Sequence, residues 1–384
     1  MDEKIRIEHM KGMAFLCNYE SGAVAYLEPE NENVIRQALE TGNWESLPPD
    51  MKNCLDACDF LGRGEAPYRQ SYVHVTDRCN MNCAGCYSRT SERNRRPDLT
   101  LLQLEAIFGE LEQHGVRRVI LSGGEPLLRD DLAELIAMAR QHGFGVEVVS
   151  NGSIAISDDV LTGLDVLHLS MDFLDRDTNA VNRNIFRERI LRNVARAQAL
   201  SVPVCGIITV TSRNEGQLED YFAMSAAYQI PISFSLFYSD EEGCRSLLLN
   251  ESQQRDLALT CAENLGGLVE GISAYDEIFC RDSCAACRES ISVDAAGNLC
   301  PCHMLQRYNL GSLLTSPETA WERLDVFANA MEIPQECRAC EYRMLCGAGC
   351  KARSLTAGTV DPYCAMYRAH YEKQVEYIRQ QVGA

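Results

Sequence analysis

Between residues 72 and 237 six short apolar runs recur with helical stretches between them, and this alternation limits the fold more than any other feature. The runs are YVHVT (72–76), RVILS (118–122), VEVVS (146–150), VLHLSM (166–171), VCGIITV (204–210) and ISFSLF (232–237). The segment LLQLEAIFGELEQHG places Leu101, Leu104, Ile107, Phe108 and Leu111 on one helix face. DDLAELIAMARQHG and IFRERILRNVARAQAL read the same way. Parallel strands need crossovers of this length, whereas antiparallel strands are joined by tight turns. Six βα units with no antiparallel block predict an α/β chain built on a partial (β/α)6 TIM-type barrel. Its chemistry belongs at the C-terminal ends of the strands.

A small β+α module precedes the barrel. MAFLCN and AVAYLE flank the turn YESG as a hairpin, and NVIRQALETG and PPDMKNCLDACDFLG follow as two short helices. Gly42 ends the first helix and Pro48-Pro49 begins the second. Met10, Met13, Cys17, Cys54 and Cys58 read as its core. After residue 255 the alternation fades into a loop-rich tail, and eleven of the nineteen cysteines lie from Cys261 onward. The expected divisions are a head over 1–68, a barrel over 69–255 and a cysteine-dense tail over 256–384.

Lys plus Arg number 36 against 55 Asp plus Glu, a formal charge of −19. Nucleic-acid binding requires a basic face, so it is not expected; the acidity suits a basic peptide partner or serves solubility. No apolar run approaches the roughly 18 residues of a membrane span. The N-terminus lacks the basic-then-apolar order of a signal peptide. The expected location is the cytoplasm, with no membrane partner. In such a chain nineteen cysteines point to metal rather than to disulfides.

The first strand runs into DRCNMNCAGCYSRT, where Cys79, Cys83 and Cys86 stand at C-x3-C-x2-C. Thiolates are soft ligands suited to zinc or iron–sulfur clusters. A structural zinc site is closed by four ligands. Three thiolates on one loop can instead hold three irons of a 4Fe–4S cube and leave the fourth iron for an outside ligand.

CNMNCAGC resembles the signature of the radical S-adenosylmethionine superfamily, in which S-adenosylmethionine chelates the open iron and is reductively cleaved to a hydrogen-abstracting radical. Gly123, Gly124, Glu125 and Pro126, at the end of the second strand, resemble that family's GGEP motif, which meets the amino group of the cofactor. Asn151, in Ser150-Asn151-Gly152, resembles the turn after the third strand. The resemblance implies that Ser170 and Arg183 meet the cofactor carboxylate, with Asp172 in its vicinity. Leu236 is placed either against the adenine or in the core. Many members carry an aromatic residue immediately before the third cysteine; here it is Gly85, and Tyr87 lies just beyond.

The tail spaces Cys287, Gly297 and Cys302, then Cys337, Cys340, Cys346 and Cys350 as C-x2-C-x5-C-x3-C, and then Cys364. This resembles the seven-cysteine SPASM extension of peptide- and protein-modifying radical enzymes, although zinc also suits C-x2-C pairs. The resemblance implies two auxiliary 4Fe–4S clusters, making three in all. Cys337, Cys340, Cys346 and Cys364 would hold the distal one. Cys287, Cys302 and Cys350 would hold the proximal one, with Cys284 preferred over Cys280 as fourth ligand. Cys300 is an extra thiol.

Sulfatase-maturating members place a catalytic Asp directly after the cysteine matching Cys302, where this chain has His303. His303 is either a base or a structural hydrogen-bonding group. The head resembles a shortened PqqD-like domain, which binds a leader peptide at a sheet edge; it also reads as a plain cap. The expected function is oxidative cross-linking of a ribosomally made precursor peptide through a thioether or carbon–carbon bond, with flavodoxin or ferredoxin as electron donor. The alternatives are a formylglycine-type or other protein-modifying radical enzyme and a non-enzymatic iron–sulfur or zinc scaffold.

Overall fold

In the computed structural model, which describes residues 4–57, 60–61, 69–174, 186–263, 267–269 and 277–383, the chain opens with three antiparallel strands. They are β1 (Ile5–Met10), β2 (Met13–Asn18) and β3 (Val24–Leu27). β2 and β3 form the expected hairpin; β1 adds an edge that the sequence reading missed. Lys11 and Gly12 both hold positive φ (51° and 80°), the turn geometry that matches the twist of a two-residue hairpin. Helices α1 (Glu32–Thr41) and α2 (Pro49–Ala57) follow, and Gly42 ends the first at φ 69°. Met10, Met13 and Cys17 are buried as expected, whereas Cys54 lies on the exposed side of α2, and Cys58 falls outside the described residues.

All six expected barrel strands form, as β4 (Arg69–Thr76), β5 (Val116–Gly123), β6 (Gly145–Ser150), β7 (Val166–Ser170), β8 (Val204–Val210) and β9 (Ile232–Leu236). Neighbours pair in parallel and in sequence order. The crossovers are α3 (Leu101–Gln113), α4 (Leu132–Gln141), the short α5 (Asp158–Leu161), α6 (Arg187–Ala199) and α7 (Leu218–Tyr228). A capping box of Thr100 and Gln103 starts α3, which buries Leu104, Ile107, Phe108 and Leu111. α8 (Glu251–Glu263) leads to β10 (Gly267–Val269), parallel to β9.

The sheet extends beyond six strands. On the other edge β11 (Ser290–Val293) pairs in parallel with β4, and β12 (Asn298–Cys300) and β13 (Gly311–Ser312) continue antiparallel, followed by α9 (Pro317–Ala330). Alternate strand residues divide by face. Val73, Val75, Val119, Leu121, Val146, Val148, Leu167 and Leu169 are buried beneath the helices, while their neighbours line the opposite face.

The remaining helices are α10 (Gln335–Arg338), α11 (Arg343–Cys346), α12 (Lys351–Ala357) and α13 (Cys364–Val382). Two units emerge, neither continuous along the chain. One comprises Met1–Pro67, Gly271–Cys284 and Ile333–Ala384; the other comprises Tyr68–Glu270 and Ala285–Glu332. In the first, Cys17 points its thiol at the Met344 sulfur, 3.9 Å away, and Cys280 donates to the Asn18 and Ala23 carbonyls. Among the described residues no helix is long and apolar enough to cross a membrane.

Candidate functional site

The three-cysteine loop leaves the C-terminal end of β4 and is gripped by the residues that follow it. Asn94 Oδ1 accepts from the Cys79 amide at 2.8 Å, and the Arg89 guanidinium donates to the Cys83 carbonyl. Arg93 Nη2 lies 3.6 Å from Cys86 Sγ and 3.0 Å from the Ser88 hydroxyl, which is itself 3.3 Å from Cys86 Sγ. Burial opposes ionisation of Cys86, but the Ser88 hydroxyl and the Arg93 charge outweigh it and bring the thiol below its ordinary value. Burial holds Cys79 above the usual thiol range.

The end of β5 closes on this loop through its glycines. A Cβ at Gly124 would stand 2.0 Å from the Arg78 carbonyl oxygen, and one at Gly123 2.4 Å from that of Thr76. Only bare backbone fits, and the amides of Gly124 and Glu125 donate to Thr76 and Arg78 at 2.8 Å. Glu125 is buried and accepts from the Ser150 hydroxyl and the Asn151 amide, each at 2.8 Å. Pro126 begins the following turn. Asn151 Nδ2 donates to Asn80 Oδ1 inside the cysteine loop. The ends of β4, β5 and β6 are therefore one hydrogen-bonded assembly.

Beside it lies a cavity of about 470 Å³, within the size range of small-molecule sites. Cys83, Cys86, Ser170, Asp172, Leu236 and His303 all line it. Asp172 is buried and takes the Thr209 amide, tying β7 to β8. His303 stacks on Tyr72 at 4.2 Å between centroids and meets Tyr87 edge-on at 5.4 Å. A Cβ at Gly85 would lie 2.6 Å from the Phe237 ring, so the ring over this point of the loop comes from the chain just after β9. Arg183 lies outside the described residues.

Sequence reasoning missed a second group lining the cavity. His168 Nε2 is 2.8 Å from Glu147 Oε2, Glu147 also pairs with Arg118 at 3.2 Å, and Cys205 stands opposite His168 in the strand register. Burial favours the neutral imidazole, but the imidazolium's hydrogen bonds to Cys205 and Glu147 outweigh it and raise His168 to about 9. The readable signal was one polar residue at a cavity-facing position in each of three apolar runs. Buried His74, held to about 3 by burial and by the charges of His303 and Arg93, meets Gln306 Nε2 at 2.7 Å.

In the unit containing the head, Cys340 and Cys364 lie within range of the charges of both Cys337 and Cys346. Burial, then Cys364 and Cys340, holds Cys337 high; burial, then Asp361, Cys364 and Cys340, pushes Cys346 up to about 12. Cys350 donates its amide to Asp361 Oδ2 at 2.6 Å, and Asp361 pairs with buried Arg353 at 3.0 Å. Cys284 is half-buried, while the Cys280 thiol is buried against the hairpin carbonyls. Cys287, Cys302 and Cys300 belong to the other unit and are buried.

Among the described residues no group of three or more His, Cys, Asp or Glu side chains converges as a single ion's ligands would. A cluster spreads its thiolates over separate irons, so its ligands need not converge on one point. The donor set at Cys79, Cys83 and Cys86 fits such a group. Arg93 Nε and Nη1 are buried there with no acceptor, and an anionic cluster supplies one.

Residues 73–224 match the description "Radical SAM superfamily". The chain is 26% identical over 322 residues to the mycofactocin maturase MftC of Mycolicibacterium smegmatis, covering 76% of this chain and 81% of that protein. It is 22% identical over 331 residues to the PqqA peptide cyclase of Bradyrhizobium diazoefficiens, covering 78% and 86%. Streptococcus suis SuiB, solved with its precursor peptide SuiA, shares the fold at a TM-score of 0.61 and 15% identity, covering 95% of this chain and 99% of SuiB.

Proposed function

Because the chain belongs to the radical SAM superfamily and is an enzyme, we propose that it matures a ribosomally made precursor peptide by forming an oxidative cross-link, a thioether or a carbon–carbon bond. The carrying observation is that the three-cysteine loop, the GGEP turn and the β6 end form one hydrogen-bonded assembly beside a cavity of about 470 Å³. The superfamily binds S-adenosylmethionine at a 4Fe–4S cluster, which supplies a hydrogen-abstracting radical. On this reading Cys79, Cys83 and Cys86 hold that cluster. Gly123, Gly124, Glu125, Pro126, Asn151, Ser170, Asp172 and Arg183 form the surroundings of the cofactor. The names of MftC, the PqqA cyclase and SuiB support a peptide substrate.

The boundaries 1–68, 69–255 and 256–384 serve as the functional divisions of this reading, with the head's three-stranded sheet presenting an edge for the leader peptide. A distal auxiliary cluster on Cys337, Cys340, Cys346 and Cys364 rests on the sequence resemblance, with Cys340 and Cys364 within electrostatic reach of the other two. A proximal one on Cys284, Cys287, Cys302 and Cys350 rests on the sequence resemblance alone. A low-potential flavodoxin or ferredoxin is the proposed electron donor.

The test is anaerobic co-expression with a short cysteine-containing reading frame encoded beside this one, read by intact mass. Loss of two hydrogens per modified site, abolished by Cys79→Ala, Cys83→Ala or Cys86→Ala, is the expected result. An aldehyde product would replace this reading with formylglycine-type chemistry. An unchanged peptide with S-adenosylmethionine still cleaved would reject that peptide as substrate.

A further inference from the structure

We propose that residues 88–96 form a strap fitted to the three-cysteine loop, and that Arg93 in it sets the reduction potential of the cluster held there. The inference rests on Cys79, Cys83 and Cys86 being the cluster's ligands. Each of these cysteines is met by the strap: Cys79 by Asn94, Cys83 by Arg89, and Cys86 by both Ser88 and Arg93. The strap bends back at Asn94, which holds φ +63°, a left-handed conformation that asparagine tolerates better than most residues. Arg96 completes the fit with a 3.7 Å pairing to Asp77 at the base of the loop.

A strap that only held backbone in place would have no use for a guanidinium turned onto a ligand sulfur. Arg93 spends one nitrogen on Ser88 and Cys86, while its Nε and Nη1 are buried without an acceptor. Buried donors left in that state are costly, and anions are their natural partners. The charge of Arg93 reaches Cys79, Cys86, His74 and Asp77.

A 4Fe–4S core of charge 2+ on three thiolates carries one net negative charge, and gains a second when an electron is added. A fixed cation with N–H donors stabilises the more negative state, so it raises the potential. Glu125, whose charge reaches Cys79, acts in the opposite sense. Arg93 is thus a positioning and tuning residue that needs no contact with peptide.

The test uses the full chain, reconstituted anaerobically with iron and sulfide, in a redox titration followed by electron paramagnetic resonance. The signal that changes on adding S-adenosylmethionine identifies this cluster among the others. Arg93→Gln is expected to lower the reduced-to-oxidised ratio at fixed potential by about tenfold, a shift of about 59 mV to more negative values for one electron. Arg93→Lys keeps the charge but loses the fork, so its shift has the same sign and is smaller. Should the Gln variant lose its iron, the Lys variant decides: a negative shift supports the proposal and the wild-type potential overturns it. A Gln variant that keeps its cluster at the wild-type potential overturns it directly. If the S-adenosylmethionine-sensitive signal survives replacement of all three cysteines by Ala, the ligand assignment itself falls, and the proposal with it. No peptide is needed, so failure of the peptide reading leaves the result intact.

Discussion

His168 Nε2 lies 2.8 Å from Glu147 Oε2 across the neighbouring strands β7 and β6. The pair holds a cation and an anion on the cavity face of the sheet, with Arg118 on the far side of the carboxylate and Cys205 on the far side of the imidazole.

This pairing gives a pH signature. Burial of His168 favours its neutral form, but Cys205 and Glu147 outweigh burial and raise the group from 6.5 to about 9. A raised pKa contributes stability that is fully present below about pH 6.5 and lost as pH climbs through about 9. Glu147→Gln should therefore lower the melting temperature most at pH 6.5 and below, at a cost of about 1–3 kcal/mol. The difference from wild type should shrink towards pH 9, because only the contribution of Arg118 then remains. A difference constant from pH 6 to 9 would show that His168 is uncharged in the folded state.

Asp361 and Arg353 form an ion pair with both side chains almost fully buried, and Asp361 also takes the amides of Cys350 and Tyr363. Removing one partner strands the other charge. Asp361→Ala should destabilise the protein by about 3–5 kcal/mol, whereas replacing both partners by apolar residues should restore much of the loss. Thermal unfolding of the two variants checks this, and iron per chain should fall with Asp361→Ala.

Gly124→Ala places a Cβ against a backbone oxygen that cannot swing aside. The cysteine loop must shift, and a displacement near 1 Å costs about 100-fold in rate. Deoxyadenosine formation from S-adenosylmethionine is the measurement. Gly109→Ala is the control: it lies inside α3 with nothing within 4 Å, and should stabilise the chain by about 1 kcal/mol.

Cys280 and Cys284 should separate by iron content. The Cys280 thiol donates to two carbonyls of the head, so Cys280→Ala should cost about 1–2 kcal/mol and leave iron unchanged. Cys284→Ala should reduce iron per chain. The reverse pattern would make Cys280 the ligand.

The six barrel strands could be read because each pairs with its sequence neighbour and alternates its faces locally. β11 could not, since its partner β4 lies more than two hundred residues earlier and SISV carries no mark of that pairing. The union of the head with residues 271–284 and 333–384 is equally long-range. β1 was missed although Ile5 and Ile7 alternate before the Lys11-Gly12 turn. Cys79, Cys83, Cys86 and the GGEP turn were visible because their spacing and glycines are local requirements. SERNRR has the composition of an ordinary polar loop, and nothing in it says that Arg93 turns onto a sulfur.

The division of each barrel strand into a helix-covered face and a cavity-lining face separates two kinds of change. Val119, Val148 and Leu169 answer for whether the sheet forms, while Glu147, His168, Cys205 and Ser235 answer for what fits beside the loop. Neighbouring codons on one strand thus carry independent liabilities. A lineage can exchange the polar set one residue at a time and acquire a new ligand preference while the apolar set keeps the scaffold standing. The same partition gives a protein engineer a short set of positions to randomise and an equally clear set to leave alone.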